Sequence, residues 1–272
     1  MEIMSASKWV SAVTIMKQVE RGFMSLGDHP QRFLPFWTSD PADPRSNITL
    51  AHLLSFTSGF AGQAADPSCI GSNMELFDCA RECFQDGLYL YAPGEMFQYG
   101  SIHLQIAGAM AEQAAGKSFR QLFEETIVAP LGLTHFRYNP SAGNNPSLAF
   151  GMIATTRDYH AFLDAYYRDL LLRQDIRELM ELDYTPGRTG AALRGYHYSL
   201  GNWFECRMIA WIPTCLRENV HGSVGAFGFY PLVDRTLNYY LIIGTDSGWP
   251  GGTTSSSVLR HQIKPLLDEL MV

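Results

Sequence analysis

Ser5 and Lys8 lie three residues apart near the start of the chain and form an S-x-x-K pattern. On a helix this offset places both side chains on one face, about one turn apart. A serine hydroxyl becomes a good nucleophile only when a nearby group accepts its proton. A partly desolvated lysine amine can do so, because burial lowers its pKa. The pair predicts a serine nucleophile with a lysine partner; the alternative is an N-cap serine beside an exposed lysine.

An acyl-transfer site of this kind also needs a proton shuttle, an oxyanion hole and a wall that orients the substrate. Tyr99 is a candidate shuttle, because a phenol close to a cationic lysine shares or loses its proton more easily. The backbone N–H groups of Ser5 and Val224 are candidates for the oxyanion hole. His221 is a candidate for the wall, at the start of a predicted strand.

Several segments, in chain order, resemble the serine β-lactamase and penicillin-binding protein superfamily, in particular its class C β-lactamase-like esterases and D-amino-acid peptidases. They are SASK at 5–8, ITLAHLLSFTSG at 48–59, PGEMFQYGS at 93–101, GKSF at 116–119, PLGL at 130–133, TTRD at 155–158 and HGSVGAFG at 221–228. The resemblance implies that Ser5 is acylated with Lys8 as its partner. It further implies that Tyr99 protonates the leaving group, and that the N–H groups of Ser5 and Val224 form the oxyanion hole.

The elements that must position these residues can be predicted from periodicity and breakers. Helices are predicted at 5–22, 50–56, 74–85, 102–115, 119–128, 156–172, 173–182 and 255–270, and strands at 196–206, 226–233 and 238–245. The last two strands read as an antiparallel hairpin. The resemblance implies an α+β fold in which a helical subdomain packs beside an antiparallel sheet flanked by helices.

We expect a single catalytic domain over residues 1–272 with the site in the cleft between its two parts. Residues from about 23 to 187 would form the mainly helical subdomain. Residues 1–22 and 188–272 would supply the nucleophile helix, the sheet and the C-terminal helix. Loops at 61–73 and 185–195 are expected to shape the substrate pocket.

The chain departs from the family pattern at the substrate-binding positions. Ser101 stands where an asparagine usually holds the substrate carbonyl, and it is equally suited to cap the following helix. His221 replaces a lysine and Gly222 a hydroxyl residue, ahead of Ser223 in the same wall. A neutral imidazole is a poor anion clamp, which favours an esterase or amidase over a true β-lactamase. Alternatively, His221 is a structural histidine on an edge strand. Phe56 stands where a histidine is usual.

The resemblance also raises a hypothesis about the start of the chain. Family members carry several dozen residues ahead of the nucleophile, including strands of the sheet. We therefore expect a fragment or late-start gene model, with sheet strands missing and an unpaired sheet edge. Ser5 would then lie on a frayed terminus. A five-stranded sheet built from these residues would contradict the hypothesis.

Composition excludes some classes of function. The 20 basic and 27 acidic side chains leave a net charge of −7, which argues against a nucleic-acid partner. No apolar run reaches the length of a membrane span. A phosphate-binding glycine loop and a zinc-ligand spacing are both lacking, so no cofactor or metal is implied. The expected partner is a small ester, amide or lactam.

The five cysteines include two that bracket a short loop, Cys69 and Cys79, and a second such pair, Cys206 and Cys215. Two local disulfides with Cys83 left over would suit an oxidising compartment. This pattern favours an extracytoplasmic or secreted location for the full-length form, although no signal peptide is present in this chain. The alternative is a set of buried thiols in a cytosolic protein.

Two functions remain open at this point. The first is a serine hydrolase that forms an acyl-enzyme on Ser5. The second is a catalytically inactive homologue used for binding or scaffolding, which Ser101, Phe56 and the short N-terminus favour. An α/β-hydrolase built around Ser223 is disfavoured, because strands do not alternate with helices.

Overall fold

The structure of the protein is a computed structural model that describes residues 1–186, 196–205, 208–209, 212–213, 219–248 and 251–271. Its helices are α1 Ser7–Glu20, α2 Leu50–Leu54, α3 Leu76–Asp86, α4 Ile102–Ala115, α5 Phe119–Phe123, α6 Ala129–Leu131, α7 Thr156–Tyr167, α8 Gln174–Glu181 and α9 Gly251–Met271. A 3₁₀ turn at Met4–Ala6 leads into α1, and a π-helical turn at Glu124–Val128 joins α5 to α6. The predicted helices are confirmed, most with slightly different ends.

The strands are β1 Arg137–Tyr138, β2 Met152–Ile153, β3 His197–Tyr198, β4 Trp203–Phe204, β5 Met208–Ile209, β6 Ile212–Pro213, β7 Val220–Gly222, β8 Phe229–Asp234 and β9 Tyr239–Gly244. Five of them form an antiparallel sheet in the order β3-β4-β7-β8-β9. The helix α9 packs against β8 and β9 on one face, and α7 packs against the same strands on the other. The predicted α+β architecture and the predicted β8–β9 hairpin are confirmed.

The prediction of one strand over 196–206 is wrong. The segment forms the hairpin of β3 and β4, in which His197 pairs with Phe204. The turn depends on Gly201, whose φ of +78° is easily reached only without a side chain. A Cβ on Gly201 would also lie 2.3 Å from the Cβ of Ala12 on α1. The hairpin turn is thereby packed against the nucleophile helix.

The predicted shortage of sheet strands is not observed, since the described residues alone build five strands. The first residues are also not frayed. The N-terminal amine donates to Ala154 O at 3.0 Å, and Ile3 N–H donates to Met152 O at 3.1 Å. These bonds hold the backbone ahead of Ser5 against β2, so the expectation of a frayed nucleophile segment is wrong.

The helix α1 runs through the core, and every residue from Ser7 to Met16 is buried. The stretch has no solvent face, because the core surrounds it on all sides. Its polar side chains bond locally or across the core. Ser11 Oγ, for example, donates to Leu148 O at 2.6 Å and lies 2.7 Å from Tyr138 Oη.

Cys69 and Cys79 form a disulfide, as predicted, and Cys83 is a buried free thiol. The second predicted pair, Cys206 and Cys215, lies outside the described residues. The disulfide links the loop ahead of α3 to α3 itself. Within the described part of the chain, no helix is both long and apolar enough to span a membrane.

Candidate active site

The nucleophile candidate Ser5 lies in the 3₁₀ turn that opens α1, and Lys8 lies in the first turn of α1. Lys8 Nζ donates a hydrogen bond to Ser5 Oγ at 3.1 Å. The predicted one-turn spacing is therefore realised. Met4, directly before Ser5, has a φ of +49°. This left-handed conformation is uncommon for a residue with a side chain and is found preferentially at functional sites.

The environment of Lys8 is nearly dry and holds little negative charge. The side chain is 1% exposed. Besides Ser5, Nζ contacts the carbonyl of Ala149 at 3.0 Å and lies 4.6 Å from the ring centre of Tyr99. Desolvation lowers the pKa of Lys8 to about 7, although the charge of Asp66 acts in the opposite direction. A substantial fraction of this amine is thus neutral and able to accept a proton near neutral pH.

Tyr99 is held by aromatic contacts from both parts of the molecule. Its ring stacks on Trp203 of β4 at 5.2 Å and meets the edge of Phe56 at 5.6 Å. The Ser5 side chain lies close enough to the phenol to act on its pKa. Burial raises the pKa of Tyr99 well above that of a free phenol, and the Ser5 side chain lowers it less. The expectation of a more acidic phenol is therefore wrong, and Tyr99 enters the site as a protonated donor.

The segment after β7 lies beside Ser5. Ser223 Oγ donates to the carbonyl of Ser5 at 2.9 Å. A Cβ on Gly225 would lie 2.2 Å from the carbonyl oxygen of Ile3, so the two segments touch through their backbones. Between these contacts, the N–H of Val224 has no hydrogen-bond acceptor within the residues that the structure describes. A backbone N–H that is free to bond and lies next to the nucleophile segment is one requirement of an oxyanion hole.

His221 and Gly222 do not line the cleft. His221 is fully buried on the central strand β7, and its ring stacks on Phe204 at 5.0 Å. Its Nδ1 and Nε2 atoms lie 2.8 and 2.7 Å from the side-chain oxygens of Asn202 and Asn219. Burial lowers the pKa of His221 to about 4. The histidine is structural, as the alternative interpretation held, although on a central strand and not at an edge.

The position of Gly222 has a similar packing explanation. Successive side chains on a strand point to opposite faces, so this position faces the layer formed by α9. A Cβ there would lie 2.2 Å from Glu205 Oε1. The Glu205 carboxylate occupies the space and is paired with Arg260 of α9 at 2.7 Å. The expectation that Gly222 binds substrate is therefore not supported by its place in the fold.

Ser101 precedes α4, as predicted, but its side chain makes no capping hydrogen bond. The carboxylate of Asp66 caps the helix instead, accepting from Ser101 N–H at 2.9 and 3.0 Å and from Ile102 N–H at 3.1 Å. Sequence reasoning missed Asp66. Aspartate is a favoured capping residue, but nothing in the pattern connects it with a helix more than thirty residues later.

Three cavities adjoin this cluster or the residues next to it, and one of them, of about 390 Å³, is lined by Tyr99 together with residues 61–65 of the predicted pocket loop. Another, of about 290 Å³, is lined by Met4, Gly71, Ser147 and Phe150 among others. A third, of about 140 Å³, is lined by Val224 together with aromatic side chains that include Trp203. The predicted pocket loop at 61–73 also contributes Ile70 and Gly71 to the cavity of about 290 Å³. Most of the predicted loop at 185–195 lies outside the described residues.

Potential metal ligands come together at one place in the described part of the chain. The sulfur atoms of Cys69, Cys79 and Cys83 lie within 4.8 Å of one another and form the one group of three potential ligands in the described ranges. The disulfide occupies two of these sulfurs. A thiolate is the form that binds metal, so the oxidised cluster does not offer three ligands.

Comparison with solved structures shows the same architecture elsewhere. A proposed beta-lactamase of Bacteroides dorei superposes with a TM-score of 0.75 and 28% identity, over 95% of this chain and 85% of that one. EstCE1, a hydrolase with promiscuous acyltransferase activity, superposes with a TM-score of 0.74 and 18% identity, over 94% and 82% of the two chains. The second likeness concerns the fold alone.

Curated relatives are more distant and longer. Protein flp of Staphylococcus aureus is 24% identical over 158 residues, which are 57% of this chain and 32% of that protein. Monacolin J acid methylbutanoyltransferase of Aspergillus terreus is 29% identical over 152 residues, 49% of this chain and 37% of that protein. The chain thus spans about a third of the length of these relatives.

The family comparison covers most of the chain and agrees with the geometry of the cleft. The family model described as Beta-lactamase matches residues 1–245. The match contains the Ser5–Lys8 pair, Tyr99 and Val224. The chain therefore belongs to the Beta-lactamase family, within the superfamily of serine β-lactamases and penicillin-binding proteins.

Proposed function

We propose that this protein is a serine hydrolase that forms an acyl-enzyme on Ser5 with a small ester, amide or lactam. The observation that carries the proposal is the hydrogen bond of 3.1 Å between Ser5 Oγ and Lys8 Nζ. It is supported by the lowered pKa of the lysine, which makes the neutral amine available near pH 7. The tyrosine phenol close to the same hydroxyl completes a path for the proton.

The steps follow from these contacts. Neutral Lys8 accepts the Ser5 proton while Oγ attacks the substrate carbonyl carbon. The N–H groups of Ser5 and Val224 would bind the developing oxyanion. Collapse of the tetrahedral intermediate breaks the bond to the leaving group, which takes the Tyr99 proton. Lys8 returns its proton to Tyr99, and water then hydrolyses the acyl-enzyme by the reverse sequence.

The substrate is more consistent with a neutral ester or amide than with a β-lactam carboxylate. His221, at the position of a usual cationic residue, is buried and mostly neutral at pH 7. None of the three cavities beside the cluster is lined by a lysine or arginine of the described residues. A site without a nearby cation has little to hold a carboxylate.

The alternative of an inactive homologue predicted that Ser5 would lie out of reach of Lys8 and Tyr99. The contact distances count against it. We further propose an extracytoplasmic location for the protein, which the Cys69–Cys79 disulfide supports because such bonds persist in oxidising compartments.

A fluorophosphonate probe and p-nitrophenyl acetate test the assignment. We expect stoichiometric labelling of Ser5 and a burst of p-nitrophenol, both lost in Ser5→Ala. Ser7→Ala is the matched control, since Ser7 lies in the same motif and, among the described residues, its hydroxyl accepts from the Met152 N–H and makes no hydrogen bond to Lys8. Labelling that persists in Ser5→Ala would refute the nucleophile, and wild-type protein that neither labels nor bursts would favour the inactive homologue.

A further inference from the structure

We propose that Asp66 is a positioning residue. By capping α4, its carboxylate holds Tyr99 in place next to Lys8 and Ser5. The inference rests on the proposed acyl-enzyme chemistry and adds a residue that acts through others. Asp66 lies in the loop between α2 and α3 and does not itself contact the nucleophile.

The loop that carries Asp66 binds the backbone at the Tyr99 carbonyl and directly after it. Asp66 accepts from Ser101 N–H at 2.9 and 3.0 Å, two residues after Tyr99. Gln63 N–H donates to the carbonyl of Tyr99 itself at 2.8 Å. Between them, a Cβ on Gly100 would lie 3.2 Å from Gln63 N, so the two segments are closely packed. Displacement of the loop would therefore move the phenol.

Asp66 also contributes charge where the site otherwise has little. In the part of the chain that the structure describes, three titratable groups act on or face Lys8: Asp66, Tyr99 and His103. Burial raises the pKa of Tyr99 and lowers that of His103 to about 3, so both are neutral near pH 7. The Asp66 carboxylate is then the negative charge that opposes the desolvation of the amine. It limits how far the pKa of Lys8 falls.

The loop is fixed independently of the site. Cys69, three residues after Asp66, is joined to α3 by the disulfide to Cys79. The side-chain amide of Asn145 donates to the Cys69 carbonyl at 2.7 Å. A carboxylate tethered in this way can impose its position on α4, which is the property that a positioning residue needs.

The test compares Asp66→Ala and Asp66→Asn by the burst rate with p-nitrophenyl acetate across pH. Loss of the cap should slow acylation in Asp66→Ala by about tenfold or more, because small displacements of catalytic groups are costly. Asp66→Asn keeps a capping oxygen but no charge. The acid limb of its pH–rate profile should move by about half a pH unit or more to lower pH, because the negative charge that favours protonated Lys8 is gone. Asp43→Ala is the control, since Asp43 caps a turn at Pro44–Asn47 elsewhere.

Each result decides the proposal. Asp66 variants that are folded by circular dichroism and match wild type in both rate and acid limb would overturn it. Where Asp66→Ala does not fold, Asp66→Asn decides through its pH profile. Absence of Ser5 labelling in wild type overturns the proposed function instead. The cap is then judged by hydrogen exchange at Ser101 and Ile102, which should accelerate in Asp66→Ala and change little in Asp66→Asn, where the capping oxygen remains.

Discussion

Two lysines are buried in this protein, and their surroundings differ. Lys8 is 1% exposed and Lys264 of α9 is 3% exposed. Lys264 Nζ lies 2.7 Å from Asp234 and 2.8 Å from Asp268. Lys8 Nζ contacts a hydroxyl, a carbonyl and an aromatic ring, and no carboxylate of the described residues lies within ion-pair distance.

The difference separates a lysine with a structural role, Lys264, from a lysine that can take part in proton transfer, Lys8. A buried ammonium that is paired with carboxylates keeps its proton and ties two elements together, here α9 and the end of β8. A buried amine without such a partner is easier to deprotonate, because desolvation disfavours its charged form. Burial alone therefore does not make a lysine reactive; the missing carboxylate does.

Replacement of Lys8 should have the largest effect on activity. Lys8→Met removes the proton acceptor, and we expect kcat/KM for p-nitrophenyl acetate to fall by about 10²- to 10⁴-fold. The protein should stay folded, because the substitution leaves no ion-pair partner buried and unpaired. Steady-state rates and thermal unfolding are measured on the same preparation of the variant. A variant that retains wild-type kcat/KM would contradict the comparison.

Replacement of Lys264 should have the opposite outcome. Lys264→Met leaves the Asp234 carboxylate buried without its cation and should lower the free energy of unfolding by about 3–5 kcal/mol. Urea denaturation measures this loss. Below the unfolding transition, kcat/KM should stay within about twofold of wild type, as the cluster does not contact Ser5. Lost activity with unchanged stability would mean that the two regions are coupled.

Tyrosine hydroxyls near Lys8 and near Lys264 provide a second contrast between the two regions. Tyr99→Phe keeps the stacking on Trp203 but removes the proton donor, and kcat/KM should fall about 10²-fold. Tyr239→Phe is the matched control, because its hydroxyl donates to Asp268 in the Lys264 cluster at 2.7 Å. Steady-state rates of both variants are compared at one pH. Equal losses would remove the distinction between the regions.

The pH profile should report Lys8 and not Lys264. Activity needs the neutral amine, whose fraction rises with pH through the lowered pKa of about 7. We therefore expect kcat/KM to fall about fivefold from pH 7 to pH 6 and to level off above pH 8. Lys264→Met should retain the same midpoint. A profile that is flat between pH 6 and pH 8 would rule out Lys8 as the base.

The smallest effect is expected at Ser223. Ser223→Ala removes one hydrogen bond to the Ser5 carbonyl and should reduce kcat/KM about two- to fivefold. Ser256→Ala is the control, since that buried hydroxyl bonds within α9. Both are measured with p-nitrophenyl acetate. A larger loss in Ser256→Ala would show that the readout follows general packing.

The helices of the helical subdomain and the Ser5–Lys8 spacing were predictable because both depend on local periodicity. The end of α4 at Gly116 is an example, as its positive φ of +65° suits glycine. The β3–β4 hairpin was missed, because Gly201 reverses the chain inside a run of aromatic residues that reads as one strand. Its turn is set by packing on Ala12, which is distant in sequence.

The sequence by itself determined the chemical groups, their family and their order along the chain. Tertiary structure alone decided that His221 is enclosed by Asn202 and Asn219, that Tyr99 is a protonated donor, and that Asp66 caps α4. These properties arise from burial and from contacts between segments far apart in the chain. Local patterns carry no information about either, because desolvation and charge act through space and not along the backbone.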